Sequence, residues 1–331
     1  MPDEIQFEIE RARQDDATGI ARCFSEIYGD HYFHPEVFSP TEYWKKVTSG
    51  EIVPVVTRNE QHEVIGHLAL ELLPGSRIAE RGEALVLPRY RGHHLLEAMT
   101  EKLFVIAREL GLTGIFAQPL TMHTFSQQND EHAAMYACSL MLGACPEGLV
   151  PKNMPVPTYG QRQSFVTTFR FLDNPEPRAV FIPDPYRHAV MRIYEKLGVS
   201  VTHANNETLT TRASTISSAA DGFGITSLNF GQIGSDFLQK LHAEFGASLN
   251  SSTSTIQLSA RLDDPGLPAL TEAARKLGFF FCGIGPTFVS GADTLILQFL
   301  REPLDMDRLQ LFSDHTKFLA SFVAQDRRSL S

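Results

Sequence analysis

The feature that most constrains this chain is a repeated order of strand and helix signals, read once before and once after a proline-dense stretch. In the first run, residues 7–11 alternate as a strand, and Asp15 or Asp16 caps a helix with Ile20, Cys23, Phe24 and Ile27 on one face. A helix near 41–48 follows, then a hairpin of 53–57 and 64–73 over the turn NEQHE. Residues 83–87 form a short apolar strand, and Leu95, Leu96, Met99, Leu103, Ile106, Ala107 and Leu110 recur at helical spacing up to Gly111. A strand at 113–118 and a helix over about 125–142 complete this run. Pro146, Pro151, Pro155 and Pro157 then prevent regular structure.

After a strand at 163–172 and a second punctuation, DNPEPR, the order restarts. A strand at 179–182 leads into a helix opened by Asp184 and Pro185 and ended by Gly198. Strands near 208–213 and 224–230, a helix over 235–245, a strand at 254–260, a helix over 269–277 and strands at 279–284 and 294–300 follow. One or two closing helices fill 305–324. Strands alternating with helices, with hairpins and a crossover mixed in, predict an α/β (α+β) fold with a mixed sheet covered by helices. The length, 331 residues, fits two domains, which the repeat places at 1–173 and 174–331.

Composition narrows the classes of function. With 43% hydrophobic and 21% charged residues the chain is ordinary globular protein, not a disordered or collagen-like one. A formal charge of -10 argues against nucleic acid as partner, because an acidic surface repels phosphate. The opening MPDEIQFEIERARQDD lacks the apolar core of a signal peptide, and the longest apolar stretch, around 277–284, is too short to span a bilayer; a cytoplasmic protein without membrane contact is expected. Cys23, Cys138, Cys145 and Cys282 form no pair with metal-ligand spacing and read as free thiols. His31 and His34 with Glu36 lack a helix that would align them, so no metal is expected.

The segment LVLPRYRGHHLLEAM carries the clearest chemistry. An apolar strand ends at Pro88, a basic turn with Arg89, Arg91 and Gly92 follows, and a helix starts near His94. A helix N-terminus directly after a strand offers unpaired N–H groups to an anion, and glycine allows close backbone approach. Such a turn is a candidate pyrophosphate site.

Here the sequence resembles the GCN5-related N-acetyltransferase (GNAT) family, whose acyl-CoA turn reads Arg/Gln-x-x-Gly-x-Gly/Ala. Arg89 and Gly92 match, and His94 replaces the final small residue. The resemblance implies acetyl-CoA or another acyl-CoA as cosubstrate, with pyrophosphate on the backbone of Arg91, Gly92, His93, His94 and Leu95. It also implies that the strand bearing Leu85, Val86 and Leu87 splays from its neighbour to admit pantetheine, and that an N–H near Val86 or Leu87 stabilises the oxyanion. The family's Asn-x-x-Ala-x-x-x-Tyr motif places Asn129 at the cofactor and Tyr136 as general acid on the following helix. Segments such as HTFSQQ, MLGACP and VFIPDPYRHAVMRIYEKLG extend the resemblance to bacterial tandem GNAT proteins, some joined to an anti-sigma-type ATPase domain. The second half has GQIGSDF where the first has its Arg-x-x-Gly turn, so it is expected to keep the fold without the cofactor.

Acyl transfer needs an amine stripped of its proton, and Glu83 is the expected base, with Glu71 and His123 as further candidates. The expected activity is an acyl-CoA-dependent N-acyltransferase on the amine of a small molecule. Two readings stand beside it: a regulatory acyl-CoA-binding module with a protein partner, and a GNAT fold recruited to other acyl chemistry such as decarboxylation. The chain is expected to be a monomer or a dimer.

Overall fold

One long mixed sheet runs through the chain, and its two ends repeat the same strand order. The computed structural model describes residues 7–30, 32, 34–147, 160–204, 212–289 and 291–330. The first half comprises β1 (Glu8–Arg11), α1 (Ala17–Tyr28), α2 (Pro40–Ser49), β2 (Ile52–Arg58), β3 (Val64–Leu72), β4 (Ile78–Val86), α3 (Leu95–Glu109), β5 (Gly114–Ala117), α4 (Phe125–His132), β6 (Tyr136–Cys145) and β7 (Gln163–Phe171). The second comprises β8 (Arg178–Val180), α5 (Arg187–Lys196), β9 (Val201–His203), β10 (Thr215–Ala220), β11 (Ile225–Gln232), α6 (Phe237–Leu249), β12 (Thr255–Arg261), α7 (Leu267–Lys276), β13 (Phe280–Val289), β14 (Ala292–Leu300) and α8 (Asp314–Arg328).

The sheet order is β1-β2-β3-β4-β5-β7-β6-β13-β14-β12-β11-β10. Read toward the middle, β3-β4-β5-β7-β6, behind the outer strands β1 and β2, and β10-β11-β12-β14-β13 from the other end are the same arrangement, with a parallel pair (β4 with β5, β11 with β12) inside antiparallel neighbours. The repeat expected from sequence is therefore present as topology. One difference is that β8 pairs in parallel with β9 in a small separate sheet.

The halves meet where β6 pairs antiparallel with β13 at Ser139 and Gly283. Gly283 has φ 139°, and a side chain there would run into the backbone of Cys138 and Ser139. One apolar core crosses this seam, joining Leu140, Val166 and Phe169 to Phe281, Ile284 and Leu297. Helix α8 bridges it too, since His315 Nε2 donates to the carbonyl of Ala137 at 2.8 Å.

Local signals explain most elements. Pro40 opens α2 behind Ser39, whose hydroxyl accepts from the amide of Glu42, and Gly50 closes it in the left-handed region. The predicted stripe of α1, Ile20, Cys23, Phe24 and Ile27, is buried.

The helix expected over 125–142 is corrected. It stops at His132, Ala134 takes φ 53°, and β6 begins at Tyr136. The run ACSLMLGA is buried on both faces in the middle of the sheet, so it lacks the alternation that separates a strand from a buried helix. The strand expected near 208–213 is not found where it can be seen: 212 and 213 are not in a strand, and 208–211 lie outside the described residues, as do His31 and most of the proline-dense stretch.

Candidate functional site

Strands β4 and β5 pair only from Ile78 with Gly114 to Glu80 with Phe116. Beyond Glu80, β4 continues to Val86 against β3 alone, while β5 stops at Ala117. The gap opens a cleft of about 1040 Å³, lined on one side by Gly82 to Val86, on another by Arg91, Gly92, His94 and Leu95, and on a third by α4 residues such as Ser126 and Asn129. This is the splay that the family resemblance implies. In the second half β11 and β12 stay paired from Ile225 with Thr255 to Phe230 with Ala260, so no equivalent gap forms.

Helix α3 points its N-terminus at this cleft. No side chain caps it, and among the described residues the backbone amides of 92–97 have no hydrogen-bond partner. Gly92, at φ 84°, makes the turn that brings these amides round. His94 also adopts the left-handed region, at φ 57°, yet its ring is 78% exposed and bonded to Glu97 at 2.7 Å. The imidazole that departs from the family pattern is thus turned out of the turn rather than filling it. Arg91 lines the cleft, with its Nε donating to the carbonyl of Val86 at 3.2 Å.

The second half closes the corresponding place. Ahead of α6, the amide of Ser235 donates to Arg212, Gly234 donates to Ser214 Oγ, and Ser214 donates to Asp236 Oδ1. Backbone from 212–214 occupies the space that the first half leaves open.

Not every expected residue reaches the cleft. Arg89 stacks on Tyr90, its guanidinium 5.2 Å from the ring, and does not line the cavity. Leu87 is fully buried and its amide donates to Ile65 at 2.9 Å, so it has no free N–H to offer. His93 packs on Phe7, ring centroids 5.6 Å apart. Tyr136 is displaced furthest: on β6 rather than a helix, it turns its ring to Lys196 of α5, 4.2 Å away, and does not line the cleft. Val86 does line it. Because Leu87 bonds to Ile65, the next pair, Val86 with Gly66, is a non-bonded pair of the ladder, and the N–H and C=O of Val86 face the gap.

A β-bulge sets the other key residue. The β3–β4 register shifts between His67 and Ala69, and Glu83 at φ 56° is turned onto the same face as His67. Its side chain is 0% exposed; Oε2 lies 2.7 Å from the Tyr43 hydroxyl, while Oε1 has no partner among the described residues. Tyr43 is also 2.8 Å from His67 Nε2, and His67 Nδ1 lies 2.9 Å from the Glu83 carbonyl. That carbonyl can only accept, so Nδ1 carries the proton and a neutral His67 presents a bare Nε2. Burial pushes His67 down to about 4 and Glu83 up to about 8. At neutral pH Glu83 therefore holds a proton, which it donates to Tyr43 while Tyr43 donates to His67. When Glu83 ionises, Tyr43 turns its proton to the carboxylate. Tyr43 and His67 were not singled out in the sequence, since nothing local marks residues joined only by the bulge.

Beneath the gap, Arg81 pairs with Asp130 and donates to Thr100 Oγ1 at 3.0 Å and Asn129 Oδ1 at 2.6 Å. Thr168 donates to Asp130 at 2.6 Å. Asn129 thus lines the cleft but spends its carbonyl on Arg81, fixing β4, α3, α4 and β7 to one another.

No family model matches the chain, and no curated protein matches it. Among solved structures, it is similar to a putative acetyltransferase from Acinetobacter baylyi (14% identity, 54% of this chain and 99% of that one, TM-score 0.43). A putative acetyltransferase from Salmonella typhimurium with acetyl-CoA gives 15% identity over 52% of this chain and 98% of that one, TM-score 0.41. A spermidine/spermine N-acetyltransferase from Vibrio cholerae gives 15% over 50% and 95%, TM-score 0.38.

Proposed function

We propose that the first half of this chain is an acyl-CoA-dependent N-acyltransferase, as its GNAT-like turn implies, acting on the amine of a small molecule. The observation that carries this reading is the divergence of β4 from β5 beside the uncapped N-terminus of α3. An unpaired strand edge, a ring of free amides and an arginine at one cleft are the parts needed to hold a thioester on a pyrophosphate-bearing carrier.

The residues present fit such a group. Gly92 and the amides of 92–97, aided by Arg91, would hold the pyrophosphate, and the open edge of β4 would lie along the pantetheine arm. Bound acyl-CoA supplies an activated acyl group, whose carbon–sulfur bond is exchanged for a carbon–nitrogen bond. The Val86 N–H would receive the negative charge that gathers on the acyl oxygen; losing such a donor typically costs about 3 kcal/mol. Glu83, which lines the cleft, would take the proton of the amine on Oε1, directly or through one water. Tyr43 and His67 position Glu83 and adjust its affinity for that proton. The second half contributes Asp221, Phe223 and Gln257 to the cavity wall and holds no acyl-CoA of its own.

Isothermal titration with acetyl-CoA tests the reading. We expect saturable heat at one site per chain, weakened about tenfold by Arg91→Ala. No heat at millimolar ligand would remove the proposal, and two sites per chain would remove the reading of the second half. Binding without turnover on any amine would favour the regulatory alternative.

A further inference from the structure

One face of the cleft is acidic in a way that the transfer reaction alone does not require. Glu71 of β3 and Glu80 of β4 stand directly opposite each other in the ladder, and both line the cavity together with Glu83. Like charges placed opposite across a strand pair destabilise a sheet. Among the described residues the Glu80 carboxyl has no hydrogen-bond or ion-pair partner. The nearby bases are engaged elsewhere: Lys46 pairs with Glu36, and Arg81 points to the other face of the sheet, onto Asp130. His34 Nε2 sits 3.9 Å from Glu71 and its Nδ1 3.6 Å from Glu36.

Independent observations indicate that the cluster faces a ligand. Glu83 lines the same cavity, with its side chain fully buried and its Oε1 unpartnered among the described residues. Gly82 leaves the space over which the Glu71 carboxylate lies, since a Cβ there would come 2.5 Å from Glu71 Oε1. Tyr28 and Tyr32, with ring centroids 4.7 Å apart, line the same cavity. Tyr32, Glu71, Glu80 and Glu83 all line this one cavity. Aromatic rings over carboxylates suit an ammonium group. Glu71 and Glu80 face each other across the strand pair, a spacing suited to a single ammonium of an organic cation.

We infer that the acceptor is a diamine or longer polyamine, with its second ammonium held between Glu71 and Glu80. This rests on the acyltransferase reading of the same cleft. The attacking nitrogen must be neutral, with its proton passed to Glu83, so it can neither answer the charge of Glu71 nor draw off the proton that burial keeps on Glu80 in the free protein. A cation elsewhere on the same molecule can do both.

The test has two arms. In the first, titration calorimetry measures 1,4-diaminobutane and 1-aminobutane binding to the full chain. The diamine is expected to bind about tenfold or more tightly than the monoamine, and Glu71→Gln and Glu80→Gln are each expected to remove most of that advantage. In the second, thiol release from acetyl-CoA follows both amines. Either substitution should raise KM for the diamine about tenfold while leaving KM for the monoamine and for acetyl-CoA within twofold. Both substitutions relieve repulsion, so a thermal melt at or above that of the wild type checks that the variants fold. Equal affinity for the two amines, or an equal loss for both on substitution, overturns the inference. Diamine binding lost on substitution, in a protein that neither binds acetyl-CoA nor releases thiol, upholds the cation site and removes the acyltransferase reading.

Discussion

The hydroxyl of Tyr43, on α2, lies 2.7 Å from Glu83 Oε2 and so ties a helix to the bulge in β4 that carries the candidate base. The bond reaches across 40 residues of sequence and exists only because the bulge turns Glu83 onto the face of α2. Glu83 is consequently held with its side chain buried, and that burial pushes it up to about 8.

A base that must ionise near pH 8 dictates the pH profile. The kcat/KM for amine acylation should climb from pH 6 and level off above about pH 8.5 as Glu83 gives up its proton. Glu83→Gln should lower kcat by about a hundred- to ten-thousandfold, leaving acetyl-CoA affinity within a few-fold. Steady-state kinetics with the amine in excess, read against calorimetry, separates the two effects.

Tyr43→Phe tests the positioning role. The hydroxyl is a stronger partner for the carboxylate than for the neutral acid, because the former bond is charge-assisted. Its removal should raise the affinity of Glu83 for its proton and move the rising limb of the pH profile to higher pH by about one unit, about tenfold in activity at pH 7. A merely structural role would lower the whole curve without moving it.

Stability should depend on pH through the same pocket. Burial, reinforced by Glu71, pushes Glu80 up to about 8 from an ordinary value of 4.5. The folded chain then keeps this proton up to about pH 8, whereas the unfolded chain gives it up near 4.5. Between these values the unfolded state binds fewer protons, so stability falls as pH rises through the window. Glu80→Gln should melt a few degrees above the wild type at pH 8.5, with the difference vanishing near pH 4.5, as followed by differential scanning calorimetry.

The buried pair of Arg81 and Asp130 holds the floor of the cleft. Asp130→Ala leaves a guanidinium unpaired in the interior and Thr168 without its acceptor, which should cost about 3–5 kcal/mol. Denaturant unfolding measures this loss. Asp130→Asn, which keeps an acceptor, should cost less.

The seam between the halves is equally testable. A side chain at Gly283 meets backbone rather than a movable group, so Gly283→Ala should destabilise by about 3 kcal/mol. The single core across the seam predicts one cooperative melting transition for the wild type rather than two.

Much of this was legible in the sequence because the signals were local. Gly111, Gly198 and Pro40 mark where helices stop or start, and the apolar spacing of α1, α3 and α5 survives as their buried faces. The turn from Pro88 to Leu95 could be read as an anion site because its glycine and helix start are adjacent in the chain. What failed was long-range. Tyr136 sits in a run whose two faces are both buried, so period gives no hint that it is strand, and its ring meets a lysine 60 residues away. Arg89 looked equivalent to Arg91, yet the one-turn geometry of Pro88–Tyr90 sends it to the opposite side. Tyr43 and His67 carry no motif, because only the bulge at Glu83 makes them partners.

The central claim is acyl transfer at the β4–β5 gap, and thiol release from acetyl-CoA in the presence of an amine panel tests it most directly. The account predicts free thiol and amide product in equal amounts with the wild type, turnover reduced about tenfold with Arg91→Ala at limiting acetyl-CoA, and near-silence with Glu83→Gln. Thiol release no faster than in buffer with every amine, or a Glu83→Gln variant as active as the wild type, would contradict it.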